Sequence, residues 1–171
     1  MTALPLPPDV APTPGPLQDD FHRFMRTWAT GIAVVTSRRA QRPMGCTVTA
    51  LTSVSLRPAL LLVSLARDSR TLAAIREQGA FGVNVLSAEQ TGLAGHFATA
   101  PGDRFAEVPH HLVEGVPLLD EALATAVCQV EHTITVADHT LVLGHPGRYG
   151  GIRALAPLIR FGGSNVHLPR N

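Results

Sequence analysis

Apolar positions along the chain fall first at helical and then at strand spacing. Phe21, Phe24, Met25 and Trp28 recur every three or four residues, which predicts an amphipathic helix capped by Asp19 or Asp20 and closed by Gly31. From Ile32 the period shortens. IAVVTS (32–37), GCTVTA (45–50), SVSL (53–56) and ALLLVSLA (59–66) read as strands, with RRAQRP (38–43) as a turn. LAAIREQ (72–78) is a short helix begun by Ser69 or Thr71 and stopped by Gly79; FGVNVL (81–86) returns to strand, and Ser87 with Gln90 forms a capping box opening a helix toward Phe97. Residues 100–117 read as loop. ALATAVCQVEHTITVA (122–137) and TLVLGHPGRYG (140–150) are strands about a tight turn at Asp138 and His139, and LIRF (158–161) is a last short strand.

Short turns join most of these strands and short helices interrupt them. The pattern predicts a mainly β fold with flanking helices, an antiparallel barrel rather than an alternating βαβ sheet. Ahead of it, six prolines (Pro5, Pro7, Pro8, Pro12, Pro14 and Pro16) among the first sixteen residues cannot hold a helix and leave little to bury. Residues 1–16 therefore read as a disordered or extended arm and residues 17–171 as one domain, which a length of 171 residues favours.

A formal charge of +1 leaves no electrostatic footprint for nucleic acid or an anionic membrane. The longest apolar run, 59–66, is broken by Ser64 and far too short to span a bilayer, and the N-terminus lacks the basic and apolar regions of a signal peptide. A soluble, cytoplasmic protein is expected. Cys46 and Cys128 are the only cysteines and show no C-x-x-C spacing, against a disulfide framework or structural zinc. Cys128 and His132 share a strand face but lie about 13 Å apart along it, and His110-His111 has no supporting ligands, so no metal site is expected. Neither G-x-G-x-x-G nor G-x-S-x-G occurs, which removes the usual dinucleotide fingerprint and the hydrolase elbow.

The chemistry centres on CTVTALTSVS (46–55), which carries five hydroxyls and no charge. Thr47 and Thr49 share one strand face; the wet face of a sheet gives the same pattern. The next strand runs into RDSRT (67–71). There the backbone N–H groups of a helix start, with Ser69, Thr71 and the Arg70 guanidinium, converge as donors to an anion such as phosphate; a plain Ser69 N-cap is the other reading. Together the two segments suit a ligand with a polar heterocycle at one end and a phosphate at the other, as in flavin mononucleotide.

The collinear series FMRTWATGIAVVTS, PMGCTVTALTSVSLRPALLLVSL, ARDSRT, FGVNVL, GDRF, PLLDEAL, CQVE and DHTLVLG, spread over residues 21–161, resembles the flavin reductase family. The resemblance implies an FMN-binding split β-barrel that passes a hydride from NADH or NADPH to FMN or FAD. It also implies a homodimer and a partner monooxygenase that receives the reduced flavin. It places the isoalloxazine ring against Pro43, Met44, Gly45, Cys46 and Thr47, with Thr49 and Ala50 nearby. Ser64, Leu65 and Ala66 fall on the ribityl side, and Ser69, Arg70 and Thr71 at the phosphate. Gly45, without a Cβ, would let the backbone approach a planar ring. Asn84 either touches the flavin or satisfies buried backbone; Arg104 and Phe105 lie near the cofactor edge or in a solvated loop. His139 falls at the nicotinamide, although Ala137 stands where the family commonly has glycine, and Arg160 and Asn165 occupy its C-terminal tyrosine positions. Two other readings fit the same residues: a flavoenzyme that retains FMN and acts directly on an organic substrate, and a non-catalytic flavin-binding protein.

Overall fold

A computed structural model describes residues 16–166, so the proline-rich arm lies outside the described residues except for Pro16, the first residue of helix α1 (Pro16–Arg26). The helix starts earlier than its apolar spacing suggested. Asp19 and Asp20 lie inside it, where Asp20 takes the Arg23 guanidinium, and Gly31 belongs to a short strand, β1 (Thr30–Gly31). The next strands follow the alternation closely: β2 (Ala33–Arg39), β3 (Arg42–Val48), β4 (Leu51–Leu56) and β5 (Ala59–Ala66). Ala40 and Gln41 turn β2 into β3 with φ of 46° and 66°, the left-handed pair that suits a two-residue hairpin.

Helix α2 (Arg70–Gln78) is capped by Ser69 and closed by Gly79, whose φ of 72° no side chain opposes. Strand β6 (Ala80–Val85) follows. The Ser87 N–H then donates to Gln90 Oε1 at 3.0 Å, and this capping box opens a 3₁₀ turn leading into α3 (Thr91–Thr99). The stretch read as loop corrects that expectation: β7 (His110–Val113) and β8 (Val116–Leu119) form a hairpin about Glu114 and Gly115. Pro109 and Pro117 broke the strand pattern, while the Glu-Gly pair between HHLV and VPLL was the signal for a turn. Strands β9 (Ala124–Val136) and β10 (His139–Gly150) turn on Ala137 and Asp138, one residue earlier than expected. A pair of short strands, β11 (Ile159–Phe161) and β12 (Ser164–Val166), ends the described chain, and β1 joins it to make a small sheet.

The large sheet runs β3-β2-β6-β9-β10-β5-β4, every neighbour antiparallel. Its first and last strands are consecutive in the chain, joined only by Thr49 and Ala50, so the sheet must curl until its edges meet. They do not pair as a ladder. One backbone bond, Ser64 N–H to the Ala50 carbonyl at 3.1 Å, spans the link. The result is a barrel split along β3.

Inside the barrel, Val35, Val63, Phe81, Val83, Cys128 and Val142 pack with Leu72 and Ile75, so α2 plugs one end. Gly144 makes room for this plug of rings: a Cβ there would stand 2.5 Å from Phe81. Val34 of β2, with Ile32 just before the strand, serves a second core against Phe97, Phe105, Leu119 and Leu158; this accounts for a strand apolar on both faces. Between the cores lies Asn84, fully buried. Its Nδ2 donates to the Val34 carbonyl at 2.9 Å and to Thr36 Oγ1 at 3.2 Å, and its Oδ1 accepts the Leu119 N–H at 2.7 Å. That side chain is spent on β2 and β8, which corrects its place among the cofactor contacts.

Candidate active site

The split opens as a groove with two arms. The larger, about 630 Å³, is bordered by residues 42–46 of β3, Ala66, residues 68–71 at the start of α2, Ala98, and residues 102–104. The smaller, about 330 Å³, is bordered by residues 46–50, 64–66, Ser69 and His139. Cys46, Ala66 and Ser69 belong to both, so the arms are continuous. Every residue that the sequence assigned to the flavin or the nicotinamide borders one arm or the other except Asn84 and Phe105.

Phe105 is buried rather than loop-exposed, at 4%. Its ring meets Phe97 edge-on with centroids 5.0 Å apart, behind β3. These two rings also revise the role of Gly45: a Cβ there would come within 3.0 Å of Phe97 and 3.2 Å of Phe105. The missing side chain therefore admits the protein's own aromatics and does not face the groove. Arg104 explains how the loop is held. Its Nε donates to the Ala100 carbonyl at 2.9 Å, and its Nη1 to the carbonyls of Phe97 and Gly45 at 2.8 and 3.0 Å. The guanidinium caps the orphan carbonyls ending α3 and ties them to the edge of β3.

The hydroxyls divide by the same test. Thr47 donates to the Ala94 carbonyl at 2.6 Å, so it anchors α3, whereas Thr52 and Ser53 are exposed on the edge strand β4. Ser69 accepts the Leu72 N–H at 3.4 Å, leaving the amides of Arg70 and Thr71 without intrahelical acceptors. The guanidinium of Arg70 makes no hydrogen bond or ion pair with another described residue, and neither does that of Arg42. Cys46 sits where the arms join. Burial pushes its thiol up, opposed by the hydroxyls of Thr71 and Ser69 and the charge of Arg104; it stays neutral and is a wall rather than a nucleophile.

At the far end of the smaller arm, His139 Nδ1 lies 2.8 Å from Asp138 Oδ1. The hydrogen bond from His139 holds the Asp138 carboxyl below its usual range. An ionised carboxylate only accepts, so Nδ1 carries the proton and Nε2 is the ring atom left for a ligand.

Arg42, Val48, Asp68, Ala98, Gly102 and Asp103 border the groove without having been singled out. Arg42 adjoins the PMGC segment and was read as part of a turn; nothing in the spacing of Ala98 and Gly102 pointed to a wall. Arg160 and Asn165 lie elsewhere. Arg160 Nη1 donates to Asn165 Oδ1 at 3.1 Å, and Arg160 faces a separate hollow of about 480 Å³ against Met25, Arg26 and Trp28.

Residues 25–163 match the model of the flavin reductase like domain. The chain belongs to the flavin reductase family. It is 46% identical over 129 residues to a flavin reductase (NADPH) of Lentzea aerocolonigenes, covering 73% of this chain and 75% of that one. To a flavin reductase (NADH) of Kitasatospora aureofaciens it is 40% identical over 146 residues, 82% of this chain and 75% of the relative. The reductase component of a 4-nitrophenol 4-monooxygenase/4-nitrocatechol 2-monooxygenase from Rhodococcus opacus is 35% identical over 122 residues, 71% and 66% of the two chains. Among solved structures, the flavin reductase PheA2 superposes with a TM-score of 0.83 at 32% identity, covering 89% of this chain and 98% of PheA2. Membership of this family makes the chain a nicotinamide-dependent flavin oxidoreductase on a split barrel. The donor set fits a flavin phosphate: two free amides, the Thr71 and Ser69 hydroxyls and the unpaired Arg70 guanidinium all border the same arm of the groove at the start of α2.

Proposed function

We propose that this flavin reductase binds FMN or FAD along the split and hands the reduced flavin to a partner monooxygenase. The single observation behind this reading is the continuity of the two arms, which joins the donors of α2 to the His139 end. A hydride donor must stack on the ring that receives its hydride, so the ring belongs in the arm that carries His139. It then lies against Cys46, Thr47, Thr49 and Ala50, with the ribityl chain along Ser64, Leu65 and Ala66 and the phosphate at Ser69, Arg70 and Thr71. Pro43, Met44 and Gly45 become the wall beside the phosphate instead of ring contacts.

Bound flavin supplies the hydride-accepting chemistry. The chain's own residues hold and orient. Asp138 fixes the His139 imidazole with Nε2 free to accept a hydrogen bond from a carboxamide N–H of the nicotinamide. The α2 amides and Arg70 fix the opposite end, and the neutral wall of Cys46 and Ala66 adds no charge beside the rings. Purified protein with FMN or FAD should oxidise NADH or NADPH steadily in air. Lack of turnover with both nicotinamides and both flavins would refute the reading.

Assembly as a homodimer is part of the proposal. Phe21, Phe24 and Trp28 on and beside α1 are 61%, 68% and 67% exposed, and an apolar row of this size is covered in a working protein. Sedimentation of the wild type against Phe24→Glu tests it, with a monomeric wild type as the contrary result. No helix among the described residues is long and apolar enough to cross a membrane, in keeping with work in the cytoplasm.

A further inference from the structure

A second hollow, apart from the split, lies between the end of α1 and the β11–β12 hairpin. It has a volume of about 480 Å³ and is bordered by His22, Met25, Arg26, Trp28 and residues 160–163. Arg160 and its strand partner Asn165 stand where the family's C-terminal tyrosines fall, so this chain carries charge and amide in place of two rings. The hollow is therefore a feature of this chain.

Backbone contacts build it in advance of any ligand. The Gly162 N–H donates to the Arg26 carbonyl at 2.9 Å, which docks the hairpin turn on the end of α1. Gly162 and Gly163 make that turn with φ of 64° and 85°, and Gly163 leaves space that the Arg26 guanidinium enters: a Cβ there would stand 2.6 Å from Nε and 2.8 Å from Cζ. Arg26 is thus placed but not neutralised, since its guanidinium makes no hydrogen bond or ion pair with another described residue. Arg160 is oriented by Asn165, whose Oδ1 accepts from Nη1 at 3.1 Å. That acceptor is neutral and leaves the charge uncompensated.

No carboxylate borders the hollow among the described residues, and Asp20, on the same helix, is taken by Arg23. Two guanidiniums and the His22 imidazole therefore meet the exposed side chains of Met25, Trp28 and Phe161 with no acid between them. His22 and Arg26, four residues apart, share one face of α1. Phe21 and Phe24 lie on another, so the dimer row leaves this face open.

We infer that the hollow binds a planar aromatic carboxylate, with its charge on Arg26 and Arg160 and its ring against Trp28 and Phe161. Guanidinium groups hold a carboxylate through charge-assisted, two-pronged hydrogen bonds, and aromatic walls take a flat ring. The site is separate from the flavin groove and stands or falls without it.

Trp28 is the only tryptophan of the chain, so its fluorescence reports on the hollow. The FMN-loaded protein is titrated with 4-nitrobenzoate, a quencher of the stated class, and with the uncharged 4-nitrobenzamide. Quenching by the carboxylate should saturate, and the amide should bind at least about tenfold more weakly. Arg26→Ala and Arg160→Ala should each weaken the carboxylate by about tenfold or more while FMN affinity stays within about twofold. Both variants keep the backbone bond between Gly162 and residue 26, and an unchanged unfolding midpoint checks their fold. Quenching that rises linearly and equally with both probes is collisional and overturns the inference. Saturable quenching indifferent to both arginine variants places the probe elsewhere and does the same. Displacement of the probe by NADH would give the hollow to the nicotinamide, and its loss as the protein dimerises would give it to a second copy; either result refutes the assignment.

Discussion

Two groups of polar residues lie in or beside the strands of the same sheet. Around Asn84, each donor and acceptor has a partner inside the protein: Thr36 donates to the Pro117 carbonyl, Ser37 to the Ala80 carbonyl at 2.8 Å, and Asn84 bridges β2 and β8. Along the split, Arg42 and Arg70 and the first amides of α2 have none among the described residues. The groups differ in what is left over. Spent polarity is architecture, and unspent polarity beside a groove is a site.

Substitutions can break this contrast at either end. Asn84→Leu should have the largest effect, because it leaves the Leu119 N–H and the Thr36 hydroxyl without their amide partner in the core, at a cost of about 3 kcal/mol in chemical denaturation. Flavin affinity of the protein that remains folded should be unchanged, and a large loss of affinity would return Asn84 to the site. Arg70→Ala should do the reverse. Affinity for either flavin falls by about 1.5–3 kcal/mol, tenfold or more, while stability moves by less than about 0.5 kcal/mol.

The two thiols extend the comparison to pH. Cys128 is sealed in the core, and desolvation pushes its thiol up to about 12. Above the ordinary thiol value of 9.0, the unfolded chain loses this proton while the folded chain keeps it until about 12. The unfolded state then binds fewer protons, so stability falls with rising pH across that window, by up to about 1.4 kcal/mol per unit. Cys128→Ala should flatten the slope of unfolding free energy against pH whatever it does to the baseline. An unchanged slope would mean the thiol is not sealed. The smallest effect concerns the turn beside His139: Ala137 holds φ of 49°, and Ala137→Gly should stabilise the fold by about 1 kcal/mol, read as a rise in the unfolding midpoint.

Much of this was legible in the residues. Strands β2 to β5 follow from β-branched alternation, and α2 from Ser69 and Gly79, because those signals act locally. Helix α1 misled at its start because residues 17–26 are all exposed, so no buried face ties its ends to the apolar spacing or the candidate cap. The β7–β8 hairpin was hidden by Pro109 ahead of it and Pro117 inside β8. Within the site, hydroxyl chemistry and the cationic turn marked both ends of the groove, but the vacancy at Gly45 was read toward the ligand rather than toward Phe97 and Phe105, and the burial of Phe105 was not foreseen. A strand's alternation says that two faces exist; which one meets a ligand depends on α3, whose docking is a matter of long-range packing.

That docking has a further consequence. The floor of the groove is upholstered from behind, since the Phe97 and Phe105 rings press into the vacancy at Gly45. Contours of the cavity are consequently inherited from residues that no ligand meets, and a trimmed ring on the hidden side would resculpt it from beneath.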